Sequence, residues 1–175
     1  MKKSLVIACS LFVTGCTGIP KGVQPVKHFE LSKYLGTWYE IARLDHTFER
    51  GLSNVTAQYS MRDDGGVKVV NRGFSKEKNK WKEAVGKAYF ADGQSNGYLK
   101  VSFFGPFYGS YIIFGLDHKD YQYAFVSGPS KEYLWLLARS PRINPVIIEN
   151  FVQMAKDRGC LFYTSQEQGN FLSIE

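Results

Sequence analysis

Gly36-Thr37-Trp38-Tyr39-Glu40-Ile41-Ala42-Arg43 decides the reading of this chain. It follows a short polar segment and opens the first strand-like run. A tryptophan at a strand root carries too much apolar surface to stand loose. If strands follow at regular spacing, that indole can plug one end of a closed barrel. Gly36 supplies a sharp backbone entry. The partner to seek is a late cation able to lie over the indole face. Arg139 closes Tyr133-Leu134-Trp135-Leu136-Leu137-Ala138-Arg139, and alternation can bring it to the same barrel end as Trp38.

Runs of strand length, separated by turn signals, follow in order, and eight are counted. In the first, 37–45, strict alternation points Trp38, Glu40, Ala42 and Leu44 inward, with Tyr39, Ile41 and Arg43 outward. The run 55–61 puts Val55, Ala57 and Tyr59 on one face. Asp63-Asp64-Gly65-Gly66 is a hairpin turn. Val69, Asn71 and Gly73 then face inward, followed by Ala84, Gly86, Ala88 and Phe90 from 81–91. Leu99, Val101 and Phe103 share the inner face of the next run. Phe104 to Gly109 reads as an unusually apolar loop, ahead of Tyr111 and Ile113. The run 121–127 completes the series before 132–139, where Tyr133, Trp135, Leu137 and Arg139 share one face. The fold class is therefore all-β: an eight-stranded antiparallel up-and-down barrel.

The last run is apolar on both faces, since Leu134, Leu136 and Ala138 back its inner row. It needs a cover. A helix over 144–158 supplies it, with Asn144 as cap, Pro145 at the first helical position and Gly159 at the end. Its stripe of Ile147, Ile148, Phe151, Val152 and Ala155 should pack outside the seam between first and last strands. A short final strand is expected over 161–165.

These residues resemble a known family. Gly36-Thr37-Trp38, then Leu116-Asp117 with Tyr121, then Arg139 resemble the three ordered signatures of the lipocalins. Gly36 to Arg43, Phe48-Glu49-Arg50-Gly51, Arg62 to Gly66 and Phe103 to Gly109 are similar to the bacterial outer-membrane lipoprotein lipocalins within that family. The resemblance runs from about Lys27 to the C-terminus. It implies a barrel that holds one apolar ligand, a helix outside it, and structural roles for Trp38 and Arg139 as the barrel-end pair.

The N-terminus carries its own signals. Met1-Lys2-Lys3 is basic, and 5–13 is apolar but too short to span a bilayer. Val13-Thr14-Gly15-Cys16 resembles a lipobox, in which Cys16 is the lipid-attachment residue and mature N-terminus. Thr17 in place of Asp favours, by the same resemblance, sorting to the outer membrane of a Gram-negative-type bacterium. The domain plan is then a signal peptide at 1–15, a flexible tether at 16–27 and a barrel domain at 28–175. Gly18, Pro20, Gly22 and Pro25 mark the tether as linker; eleven extended residues reach about 35 Å.

The net charge of +6 over 175 residues is diffuse, with no basic block interleaved with aromatics, so nucleic acid is not an expected partner. Three cysteines, two of them in or at the end of the leader, leave Cys160 as a buried thiol and no structural disulfide. Gly93-Gln94-Ser95-Asn96-Gly97 spells a nucleophile-elbow pattern, but a strand follows it where such an elbow needs a helix. His28, His46 and His118 lack metal-ligand spacing, and neither metal nor cofactor is expected. Asp117 reads as a turn carboxylate bonding backbone amides. Glu40, placed inward, needs a donor such as a tyrosine, a water or a ligand amine.

The function expected is non-enzymatic: a membrane-anchored lipocalin that binds and carries a fatty acid or lysophospholipid. Ala42, Ala57, Tyr59, Val69, Asn71, Ala88, Phe90, Leu99, Val101, Phe103, Tyr111, Ile113, Trp135 and Leu137 are the expected cavity lining. Burying twelve methylenes contributes about 10 kcal/mol before association costs. Mouth candidates are 46–50, 104–108 and 128–131, where Arg50 and Lys131 can meet a headgroup anion. The rivals are an envelope lipid-modifying enzyme of calycin type, and an outer-membrane scaffold or homodimer using Phe107 and Tyr108.

Overall fold

The computed structural model describes residues 17–44 and 49–157. Strands β1 (Gly36–Arg43), β2 (Leu52–Met61), β3 (Val67–Ser75), β4 (Lys80–Phe90), β5 (Tyr98–Phe104), β6 (Phe107–Leu116), β7 (Tyr123–Ser127) and β8 (Leu134–Ala138) each pair antiparallel with the next. β8 pairs back onto β1 and closes the barrel. A single helical turn, α1 (Leu31–Tyr34), precedes β1, and α2 (Pro145–Asp157) follows β8. The architecture is the one the alternation predicts. The leader, Cys16, residues 45–48, Cys160 and the expected final strand lie outside the described residues.

The outer helix forms for the reasons read from its sequence. Asn144 Oδ1 accepts from the Val146 amide at 3.0 Å, so the first turn is capped. Phe151, Val152 and Ala155 are buried, with Ile147 and Ile148 half-buried beside them. They pack on Ile41, Leu44, Leu134, Leu136 and Ala138, the outward rows of β1 and β8. Phe151 also meets Phe125 of β7, with ring centroids 5.4 Å apart.

Strict alternation fails in one place that matters. The β1–β8 register shifts between Glu40 and Ala42. A bulge puts one extra residue in β1 and reverses which residues face inward beyond it. Ala42 and Leu44, expected inside, therefore lie in the cluster beneath α2. Ala42 is not a cavity residue. Arg43, expected outside, is buried instead and pairs with Trp135 across the ladder.

Two segments read as loose are not. The apolar stretch at 104–109 is a tight hairpin: Phe104 pairs with Phe107, and only Gly105 and Pro106 separate β5 from β6. The tether, expected to be free, is packed along the outer wall. Val26 donates to Ile113 and accepts from Gly97, both at 2.9 Å. Val23 is buried against Tyr98 and Ile112, and Ser110 Oγ donates to the Gly18 carbonyl at 2.7 Å. Glycine and proline exclude regular structure here, but the outward apolar pair Tyr98 and Ile112 still needs covering.

Candidate functional site

The barrel has a closed end and an open end, and different residues make each. At the closed end Trp38 is 0% exposed. Its Nε1 donates to the Tyr34 carbonyl at 2.8 Å. The Arg139 guanidinium lies 4.0 Å from the indole ring centroid. It also donates to the carbonyls of Thr37 (2.9 Å), Lys33 (2.7 Å) and Leu35 (2.9 Å), tying α1 to β1. Gly36 has φ +95°, and a Cβ there would stand 3.4 Å from Arg139 Nη1. The position thus suits glycine both by conformation and by the close approach of the guanidinium.

Above the indole, three phenols make a floor. Tyr111 OH lies 2.8 Å from both Tyr34 OH and Tyr59 OH. Burial pushes all three phenol pKa values up. Phe29, Leu99, Ile113, Ala124 and Leu137 pack around them. Tyr59, Leu99, Ile113 and Leu137, read as cavity lining, thus belong to this buried core, and Phe90 packs edge-on against Phe29 at the same end. Tyr34 was missed because a four-residue helical turn carries no periodic signal.

The other half of the interior is less filled. Asn71 pairs across the inner wall with Ala57 and Ala84, and Ala84 is exposed although it sits in the inward row with Gly86 and Ala88. Asn71, Val101, Phe103 and Trp135 are half-buried. Phe103 lies over Gly86, where an added Cβ would meet its Cδ1 at 2.8 Å. Val69 and Ala88 mark the boundary with the floor cluster. Near the mouth, Glu40 and Arg43 form a buried ion pair. Arg43 Nη2 donates to the Glu49 carbonyl (3.0 Å) and the Leu52 carbonyl (3.2 Å), and Trp135 Nε1 donates to Glu49 Oε2 at 3.0 Å. Burial and the nearby Glu49 push the Glu40 carboxyl up to about 8, against the pull of Arg43. The donor that Glu40 needs is therefore Arg43, neither a tyrosine nor a ligand amine. The Asn71 Oδ1 and Arg43 Nε atoms are buried without a hydrogen-bond partner.

Ser95 sits in the β4–β5 turn, where its carbonyl accepts from the Phe29 amide at 2.9 Å, and β5 follows directly. That is a turn, with no helix to make an elbow. Asp117 accepts from the Lys119 and Gln122 amides at 3.3 and 3.2 Å, as a turn carboxylate does. Among the described residues no cluster of His, Cys, Asp and Glu could hold a metal ion.

The model of the lipocalin-like domain matches residues 29–166. The chain belongs to the lipocalin family. The outer membrane lipoprotein Blc of Vibrio cholerae serotype O1 is 58% identical over 171 residues, covering 95% of this chain and all of that relative. The protein of the same name from Escherichia coli K12 is 48% identical, covering 89% of this chain and 84% of its own. Apolipoprotein D of the rat is 26% identical over 82% of the chain and 79% of its own. Among solved structures, insecticyanin from the tobacco hornworm Manduca sexta superposes with a TM-score of 0.62 at 22% identity, over 80% of each chain. In this lipocalin the three signature regions meet at the closed end. Tyr121 OH accepts from the Glu30 amide at 3.0 Å, Tyr121 N donates to Asp117, and Arg139 N donates to Gln122, both at 2.9 Å.

Proposed function

We propose that this lipocalin is a carrier of a single-chain lipid, a fatty acid or lysophospholipid, tethered to the outer membrane through an acylated Cys16. One observation carries the ligand half of the reading. The inner wall of the mouth half is apolar yet incompletely covered, with Ala84 exposed and Val101, Phe103 and Trp135 half-buried above a sealed tyrosine floor. An alkyl chain would cover that surface, and such burial contributes about 0.8 kcal/mol per methylene. Ala57, Val69, Asn71, Ala88, Val101, Phe103 and Trp135 are the side chains that would meet it. Arg50 and Lys131, in the β1–β2 and β7–β8 loops at the mouth end, are the cations that would meet the ligand's phosphate or carboxylate. The membrane half is supported by the lipobox and by the names of the relatives.

Family membership supports binding over catalysis, and the buried ionisable groups described in the interior, the Glu40–Arg43–Glu49 cluster and the three phenols of the floor, are engaged in hydrogen bonds within the protein. The test is titration of delipidated protein with a lysophospholipid, followed by tryptophan emission, to which Trp135 at the proposed site contributes. Saturable binding is the expected result. Affinity no better than that of an unrelated β-barrel would remove the carrier reading.

A further inference from the structure

Among the described residues, the two large apolar side chains with the highest fractional exposure sit at one hairpin tip. Phe104 is 82% exposed and Phe107 is 55% exposed, with exposed Pro106 between them. They are at the mouth end, because β5 runs from the closed end to the mouth and β6 returns. Just behind the tip, Tyr108 lies between two lysines, with Lys100 Nζ 5.5 Å and Lys87 Nζ 6.0 Å from its ring centroid. Tyr89 adds a second ring at 6.3 Å. An apolar tip backed by phenols and ammonium groups matches what a bilayer presents: acyl chains, then an interface with anionic headgroups.

The tether leads to the same place. Its contacts move along the outer wall from Ile113 (Val26) to Ile112 (Val23) and Ser110 (Gly18), that is, toward the mouth as the chain is followed back to its start. Tyr98 OH donates to the Thr17 carbonyl at 2.6 Å. Thr17 then shares one shallow hollow with Lys100, Pro106 and Tyr108. Cys16 is the next residue. A free tether could hold the domain about 35 Å from its anchor; a packed one brings Thr17, the residue after the anchor in sequence, beside the hairpin.

We propose that the Phe104–Phe107 tip, with Lys87 and Lys100 behind it, is a second membrane contact that enters an anionic phospholipid interface next to the acylated N-terminus. This rests on the lipoprotein reading. The mouth is then set against the bilayer, and a lipid can pass between membrane and barrel with little exposure to water.

The mature acylated protein is reconstituted in vesicles of phosphatidylcholine with a minority of phosphatidylglycerol, with and without brominated acyl chains. Phe107→Trp and Phe104→Trp each add a reporter at the tip, and Lys119→Trp adds one at the exposed closed-end β6–β7 turn. The emission added over the parent at 107 and at 104 should fall to roughly half with brominated lipid, while that at 119 stays unchanged. Tip reporters that respond no more than position 119 would overturn the proposal. No ligand is added, so failure of lysophospholipid uptake leaves this measurement standing, and a null result here leaves the carrier reading standing.

Discussion

The Arg139 guanidinium stands 4.0 Å from the Trp38 ring and, with three backbone carbonyls as its acceptors, holds α1, β1 and the end of β8 together. Arg139→Ala removes a cation–π contact and strands those carbonyls, for a loss of about 2–3 kcal/mol. Arg139→Lys should recover only part, since an ammonium lacks the planar fork. Trp38→Ala should cost about 3–5 kcal/mol. Urea unfolding of the variants checks the order. Equal stability of Arg139→Ala and the parent would mean that the pair does not secure the closed end.

Tyr111 bridges two phenols, whereas Tyr34 and Tyr59 each reach only Tyr111 within this chain of hydroxyls. Tyr111→Phe should therefore destabilise by about 1–3 kcal/mol, and Tyr34→Phe by less. Burial raises all three phenol pKa values, so the folded state retains protons that the unfolded chain releases as pH climbs past about 10. Stability should fall with pH in that range, and less steeply in Tyr111→Phe. Alkaline denaturation midpoints report both effects.

Glu40 gives a pH dependence nearer neutrality. Its folded-state pKa is raised from 4.5 to about 8, mainly by burial and then by Glu49. Between those two values the folded carboxyl holds a proton that the unfolded one has lost. The contribution is thus fully present below the unfolded value and is lost as pH rises toward the folded one, with a slope of at most about 1.4 kcal/mol per pH unit. Glu40→Gln should flatten the stability profile between pH 5 and pH 8, a range set by the two pKa values. Denaturant midpoints across that range that run parallel in variant and parent would exclude Glu40 as the source.

Ala84 sits in the inward row of β4 and is exposed, so a larger side chain there should occupy the proposed lipid site without entering the packed floor. Ala84→Trp is expected to weaken lysophospholipid affinity by at least about tenfold, or about 1.4 kcal/mol, while thermal stability moves little. Undiminished affinity, measured by the same titration as the parent, would place the ligand elsewhere.

Much of the barrel was legible in the chain. Period-two alternation sorts the β8 faces correctly: Leu134, Leu136 and Ala138 pack under α2, and Trp135 and Leu137 turn inward. The capped apolar stripe from Pro145 locates the helix and its docking seam, because amphipathicity is a local property of sequence. The pairing of Trp38 with Arg139 follows from their places at the root of the first strand and the end of the last.

What only tertiary structure decided depends on contacts between distant residues. The bulge after Glu40 reverses the facing of Ala42 and Arg43, and no local pattern announces one extra residue in a ladder. The buried partner of Glu40 was hidden for that reason. Likewise Val23, Gly18 and Thr17 read as linker until the outer faces of β5 and β6 bring Tyr98, Ser110 and Ile112 against them. Alternation assigns faces along one strand; the folded sheet alone determines where a register slips and what covers its outer wall.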